Sequence, residues 1–217
     1  MKQGKKTNRS KSDPDLGEIR IIGGEWRGRK LPVVSQSGLR PTSDRMRETL
    51  FNWLQFELPG ARCLDAFAGT GALGFEALSR GAASVVFVDK NAEVVRQLTA
   101  NSQLLNARNA QVFHADSQAW LSQLVLSSSY LDALDIVFID PPFYLGLVDP
   151  FLEVLINKNV LSYANEKGRT SWLYIEQEKS LAWSARLSGF ELYREKTSAQ
   201  TRVGLWRPLD KLNREEL

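Results

Sequence analysis

Apolar and polar positions along this chain switch repeatedly between two periods, short continuous apolar runs that suit buried strands and stretches with apolar residues three and four apart that suit helices. The pattern predicts strands over Arg62 to Phe67, Ser84 to Val88, Gln111 to His114, Ala133 to Ile139 and Trp172 to Ile175. Between them it predicts helices over Ala72 to Arg80, Ala92 to Leu105, Ser117 to Leu126 and Val148 to Asn157, with a further helix near Ser180 to Leu187. Met46, Leu50, Trp53 and Leu54 sit at helical spacing after a capping Ser43 or Asp44, and Pro59-Gly60 ends that segment. Two closing strands, Phe190 to Glu195 and Arg202 to Trp206, flank a polar turn. Alternating β and α segments imply an α/β fold with a mostly parallel seven-stranded sheet, helices on both faces and one antiparallel strand from the last hairpin.

Ahead of this body, Ile19 to Leu31 mixes strand-forming residues with Gly23-Gly24, which predicts a small hairpin turning at the glycine pair. The boundaries expected from these patterns are a tail at 1–17, a hairpin extension at 18–42, a main domain at 43–207 and a charged end at 208–217. Composition supports one core: 217 residues, 43% apolar and 24% charged. One cysteine, Cys63, and one histidine, His114, exclude an internal disulfide and a zinc set, and both fall in predicted strands as packing residues. No metal is expected. The absence of a long apolar run and of a secretion signal points to the cytoplasm.

Charge is unevenly placed. Residues 1–47 hold 12 Lys/Arg against 5 Asp/Glu, although the whole chain is only +3. A basic appendage on a mildly acidic body is the electrostatic footprint of a phosphate-backbone partner. The first fifteen residues read more simply as a solvated tail. The hairpin would present Arg27, Arg29 and Lys30 beside Trp26, with Arg20 on its first strand.

Two motifs carry candidate chemistry. Asp65-Ala66-Phe67-Ala68-Gly69-Thr70-Gly71 lies between a strand and a helix, where glycines let backbone approach a ligand at a helix N-terminus. Gly69 to Gly74 also fits the dinucleotide fingerprint, and Asp89 ends the next strand where a carboxylate accepts ribose hydroxyls, so these residues leave NAD and S-adenosylmethionine both open. Asp65 leans towards the second: a carboxylate there has the wrong sign for pyrophosphate and the right one for an ammonium and a sulfonium. The second motif is Asp140-Pro141-Pro142-Phe143, directly after an apolar strand. It reads either as loop punctuation or as a rigid acceptor pair, carboxylate and carbonyl, for the two hydrogens of an exocyclic amine, with an aromatic ring on which a base stacks. Because guanine presents N1–H where adenine has an acceptor, a carboxylate leans towards guanine.

Taken together, the Asp65 to Gly71 loop, Asp89, Asp116 and Asp140 to Phe143 resemble the class I S-adenosylmethionine-dependent amino-methyltransferases. With Arg20-Ile21-Ile22-Gly23-Gly24, Trp26-Arg27-Gly28-Arg29 and the block from Arg40-Pro41-Thr42 to Leu54, the chain resembles more narrowly the RsmD family, over about Glu18 to Arg207. The resemblance implies a Rossmann-like methyltransferase that modifies N2 of one guanine in small-subunit ribosomal RNA, as a monomer acting on RNA within a subunit or its assembly intermediate. It implies that Asp65, Phe67, Ala68, Gly69, Thr70 and Gly71 hold the methionine end of the cofactor, Asp89 with Lys90 the ribose, and Asp116 with Ser117 the adenine. Asp116 reads equally as the N-cap of the following helix. Asp140, Pro141, Pro142 and Phe143 would act on the target amine, while Tyr144, Trp26 and Arg40 would hold the RNA, the alternatives being core packing for the aromatics and a surface ion pair for Arg40. Rival readings are an adenine-N6-methyltransferase, an NAD-dependent oxidoreductase and a non-catalytic RNA-binding scaffold.

Overall fold

The structure is a computed structural model that describes residues 16–34, 44–123, 134–161 and 168–209. Strands β3 (Arg62–Asp65), β4 (Ser84–Asp89), β5 (Ala110–His114), β6 (Ile136–Ile139), β7 (Trp172–Glu178), β8 (Phe190–Thr197) and β9 (Thr201–Pro208) form one sheet in the order β5-β4-β3-β6-β7-β9-β8. The four pairings from β5 to β7 are parallel, and β9 runs antiparallel to both its neighbours. The expected α/β sheet with a single reversed strand is what the chain forms.

Alternation along each strand fills two cores. Cys63, Val85, Phe87, Ile136, Phe138 and Tyr174 face α1 (Asp44–Trp53), α2 (Ala72–Ser79) and α3 (Ala92–Leu104). Leu64, Val86, Val88, Val137, Ile139 and Ile175 face α4 (Ser117–Gln123) and α5 (Val148–Asn157). Every residue of α2 is buried, between the sheet and the loop that joins β1 (Leu16–Arg20) to β2 (Lys30–Val34), whose residues 22–26 bond to Glu76 and Ser79. One of those buried residues is a carboxylate. Glu76 accepts from the backbone N–H of Ile22 and Gly23 at 2.7 and 2.8 Å and from Arg80 Nε at 2.7 Å.

The hairpin's connection is wider than a glycine turn alone, with the turn itself running from Gly24. Nine residues, 21–29, join its strands and lie across the C-terminal end of α2, where Trp26 N donates to Ser79 Oγ and Glu25 N to the Ser79 carbonyl. Gly24 sits at φ +74, and a Cβ there would lie 1.8 Å from the Ser79 oxygen, so this contact admits no side chain. Bonds to Glu76 and Ser79 fix the loop's path together with its own turn, in which Arg27 N donates to the Gly24 carbonyl and Arg29 N to that of Trp26.

Two further expectations change. Strand β7 continues past Ile175 through Glu176, Gln177 and Glu178, because their backbones pair with Val203, Arg202 and Thr201. The helix expected at Ser180 to Leu187 is only a 3-10 turn over Ala185–Gly189. Gln177 Nε2 takes the carbonyls of Leu181 and Ala182, which a helix would need, and Ser184 caps the short turn instead. The expected ends at Ala133 and Leu126, and the segment carrying Arg40 and Ser43, lie outside the described residues.

Candidate active site

The crossover from β3 runs through α2 to β4, and the crossover from β6 runs through α5 to β7 on the other side. The strand order therefore reverses between β3 and β6, and a crevice opens outside their carboxyl ends, where open α/β sheets bind ligands. Both sequence motifs converge on it: Asp65 ends β3, and Asp140 follows β6 directly.

Asp65 is buried, and its Oδ2 accepts from Gly74 N at 3.0 Å. Burial, with a smaller push from Asp89, raises its carboxyl to a pKa of about 8 against the relief given by that one amide. Gly74 is the third residue of α2, and Ala72 N at the helix start is turned to Thr70 Oγ1 at 3.3 Å. Amides that a pyrophosphate would take at this helix N-terminus thus already have acceptors, one of them a carboxylate. An ammonium or sulfonium fits the same place, since a cation relieves the cost of the buried anion.

The loop itself is shaped by Asp89. Its Oδ2 accepts from Gly69 N at 2.9 Å and its Oδ1 from Asn91 N at 2.8 Å, so it braces the glycine turn and the start of α3 together. Each oxygen keeps a second lone pair for a hydroxyl donor. Gly69 and Gly71 have φ of +50 and +75, and a Cβ on Gly71 would strike Leu98 and Phe75 at 2.6 Å. Ala68 is buried with its N–H on the Val88 carbonyl, and Phe67 packs edge-on against Phe151. Lys90 is exposed, and its carbonyl lies 3.1 Å from His114 Nε2. Asp116, also exposed, caps α4 by accepting from Ala119 N, while the buried Ser117 hydroxyl donates to the Ala66 carbonyl and ties α4 to the loop. Of the two readings of Asp116 from sequence, the N-cap bond is formed in the fold.

Beyond β6, Pro141 is buried, Pro142 exposed and Phe143 half-buried. The turn walls a cleft of about 300 Å³ whose other side is the end of β7 and the segment after it, including Glu176, Glu178 and Trp183. The sequence reading missed these two acids. Glu176 accepts from the Tyr174 hydroxyl at 2.8 Å, and burial, Glu176 and Asp140 together push that phenol well above its ordinary range. Glu178 accepts from Tyr144 N. The available signal was a pair of acids, two apart, continuing an apolar strand where solvent was expected.

The basic hairpin residues stand elsewhere. Arg29 reaches the Leu104 carbonyl, at the end of α3, at 3.5 Å, Lys30 pairs with Glu18 at 2.8 Å, Arg20 pairs with Asp44 at 3.3 Å, and Arg27 is exposed. Trp26 packs against the core. Arg29 and the loop carrying Arg27 lie near the C-terminal ends of α3 and α2, and Arg20 at the start of α1, whereas the glycine loop lies at the N-terminus of α2. The other end of the hairpin, Val33 and Val34, is what abuts Gly69 and Thr70. Among the described residues no group of His, Cys, Asp and Glu is placed to hold a metal ion, and no helix is long and apolar enough to cross a membrane.

A switch-point crevice with an acid at the glycine loop, an Asp-Pro-Pro-Phe turn opposite and one reversed strand beyond defines a Rossmann-like class I methyltransferase. Residues 19–207 match the family described as conserved hypothetical protein 95. The chain is 43% identical over 202 residues to ribosomal RNA small subunit methyltransferase D of Escherichia coli strain K12, covering 93% of this chain and 94% of that protein. It is 44% identical over 165 residues to the protein of the same name from Haemophilus influenzae, covering 75% and 80%. The solved structure of Escherichia coli yhhF superposes with a TM-score of 0.73 at 40% identity, over 88% of this chain and 98% of that one. The chain belongs to the RsmD family of methyltransferases.

Proposed function

We propose that this protein transfers a methyl group from S-adenosylmethionine to the exocyclic N2 amine of a guanine in small-subunit ribosomal RNA. The observation that carries the reading is the placement of Asp65 and Asp140 at the ends of two adjacent strands, one acid suited to a cationic cofactor and the other to an amine, across one crevice. The names of the relatives supply the RNA. The Gly74 amide, already bonded to Asp65, argues against a dinucleotide.

In this reading Asp65 and the loop from Phe67 to Gly71 hold the amino-acid end of the cofactor, Asp89 and Lys90 the ribose side, and Asp116 with Ser117 the adenine side. When bound, the cofactor supplies a methyl carbon activated by its sulfonium. The chain's task is to position the nucleophile. The N2 lone pair of guanine is delocalised into the ring, so Asp140 and the Pro141 carbonyl accept the two N2 hydrogens, turn the lone pair outward and stabilise positive charge as it develops. Pro142 stiffens the turn, and Phe143 offers a face to a base drawn out of its stack. Arg20, Arg27, Arg29, Lys30 and Arg40 bind phosphates, with Trp26 beside them. All these groups come from one chain, which suits a monomer working in the cytoplasm on RNA or an assembling subunit.

Incubating the protein with tritiated cofactor and small-subunit particles from a strain lacking the gene, then mapping the label, tests the proposal. Label on a guanine N2 is expected, and label on adenine, or none, overturns it. Asp140→Ala should keep cofactor affinity within about twofold and lower methyl transfer by roughly 10²-fold or more, the loss typical of one group that stabilises developing charge.

A further inference from the structure

Tyr144 directly follows the Asp-Pro-Pro-Phe turn and is 85% exposed, yet its backbone is held at φ +65, a conformation that costs a tyrosine energy and favours glycine. Two residues on, Gly146 takes a similar φ of +61 at no such cost. What holds Tyr144 there is specific: its amide donates to Oε1 of Glu178, an acid almost fully buried at the end of β7. The Tyr144 ring stands perpendicular to Phe143, interplanar 89° and 6.2 Å between centroids, forming an aromatic corner with the ring that lines the cleft beside Pro142. An exposed aromatic ring kept in a strained pose has no packing reason to be there, because burying it elsewhere would be favourable.

We propose that Tyr144 is a stacking platform for an unpaired nucleobase of the RNA substrate, and that Glu178 is the positioning residue that presents it. This rests on the proposed function, since Phe143 is taken there as the platform for the extruded base. Two rings at right angles fit one base on Phe143 and its neighbour, or the sugar edge of the same nucleotide, on Tyr144. Stacking on such a ring tolerates any base and so adds affinity and orientation without sequence choice.

The test uses the full chain, S-adenosylmethionine and small-subunit RNA particles, with tritium transfer as one readout and quenching of 2-aminopurine in a single-stranded oligoribonucleotide as the other. Tyr144→Ala and Tyr144→Gly should each lower kcat/KM for RNA about 10-fold or more, matching the loss of one stacked base. Tyr144→Gly keeps the backbone at ease, so a loss there is the ring's and not the turn's. Tyr144→Phe should retain most of the activity and the quench. Glu178→Ala should reproduce the Tyr144→Ala defect, and Glu178→Gln, whose amide oxygen still accepts the Tyr144 N–H, should restore it. Thermal shift with S-adenosylhomocysteine checks that each variant folds and binds the cofactor product. If the wild type methylates RNA and Tyr144→Ala does so equally well, this inference alone fails. If Glu178→Gln is as impaired as Glu178→Ala, the carboxylate acts otherwise than through the Tyr144 amide. If the wild type transfers no methyl to RNA, the proposed function and this inference fall together.

Discussion

Burial costs the Asp65 anion more than the Gly74 amide returns, and a pKa of about 8 leaves this carboxyl mostly protonated at pH 7. Two outcomes follow at the scale of one residue. Its folded pKa lies above the ordinary 3.8, so the stabilising state is the protonated one: Asp65's contribution is full below about pH 4 and is lost as pH rises through 8. The stability of Asp65→Asn should fall less steeply than that of the wild type between pH 4 and 8, as read by denaturant midpoints. Matching slopes would show that the carboxyl is already ionised in the fold. Binding of a cationic cofactor should expel the Asp65 proton, seen as up to one proton released per site when calorimetry at pH 7 is repeated in buffers of different ionisation enthalpy. Asp65→Asn should abolish that release and weaken cofactor binding by roughly 10- to 100-fold, the loss expected for a hydrogen bond to a charged group. Asp65 was legible as an acid before a glycine loop; its inverted protonation was not, because burial is a property of the packed chain.

At the scale of elements, the hairpin and α2 behave as one unit. Glu76 is fully buried and joins Ile22, Gly23 and Arg80, with the Arg80 guanidinium 5.2 Å over the Phe51 ring. Glu76→Ala leaves two amides and a mostly buried cation without their acceptor, at a cost of about 3 to 5 kcal/mol. It should also speed hydrogen exchange at Ile22 and Gly23 well before the sheet exchanges. Gly24→Ala should loosen the same loop by collision with Ser79, and wild-type exchange in that variant would show that the loop is not clamped to α2. From sequence the helix over Ala72 to Arg80 was legible, but not the reason for the glutamate within it. The glycine pair at Gly23-Gly24 has a second use that sequence did not show: besides opening the turn, it serves a contact 53 to 56 residues away.

Across the whole molecule, charge and chemistry are separated. The acids of the site occupy the carboxyl edge of the sheet, while Arg27, Arg29 and Lys30 lie by the far ends of α2 and α3. On the proposed function, RNA that touched both would run along the hairpin face, and the basic end would add electrostatic grip without touching the reacting base. Replacing all three by glutamine should reduce the slope of log affinity against log salt by about 2, from roughly 0.7 per phosphate contact, and leave cofactor binding unchanged. An unaltered slope would assign the grip to other residues. The sequence by itself determined the alternation of strands and helices, the glycine loop, the acids at strand ends and the proline turn, because each is a local pattern set by period and backbone chemistry. Only the tertiary structure decided that Asp65 and Asp140 end up on adjacent strands at the switch point, that Glu176 and Glu178 extend a strand into the cleft, and that the hairpin's loop crosses the end of α2. These depend on strand order and on the satisfaction of buried polar groups by partners far away in the chain, which no local window contains.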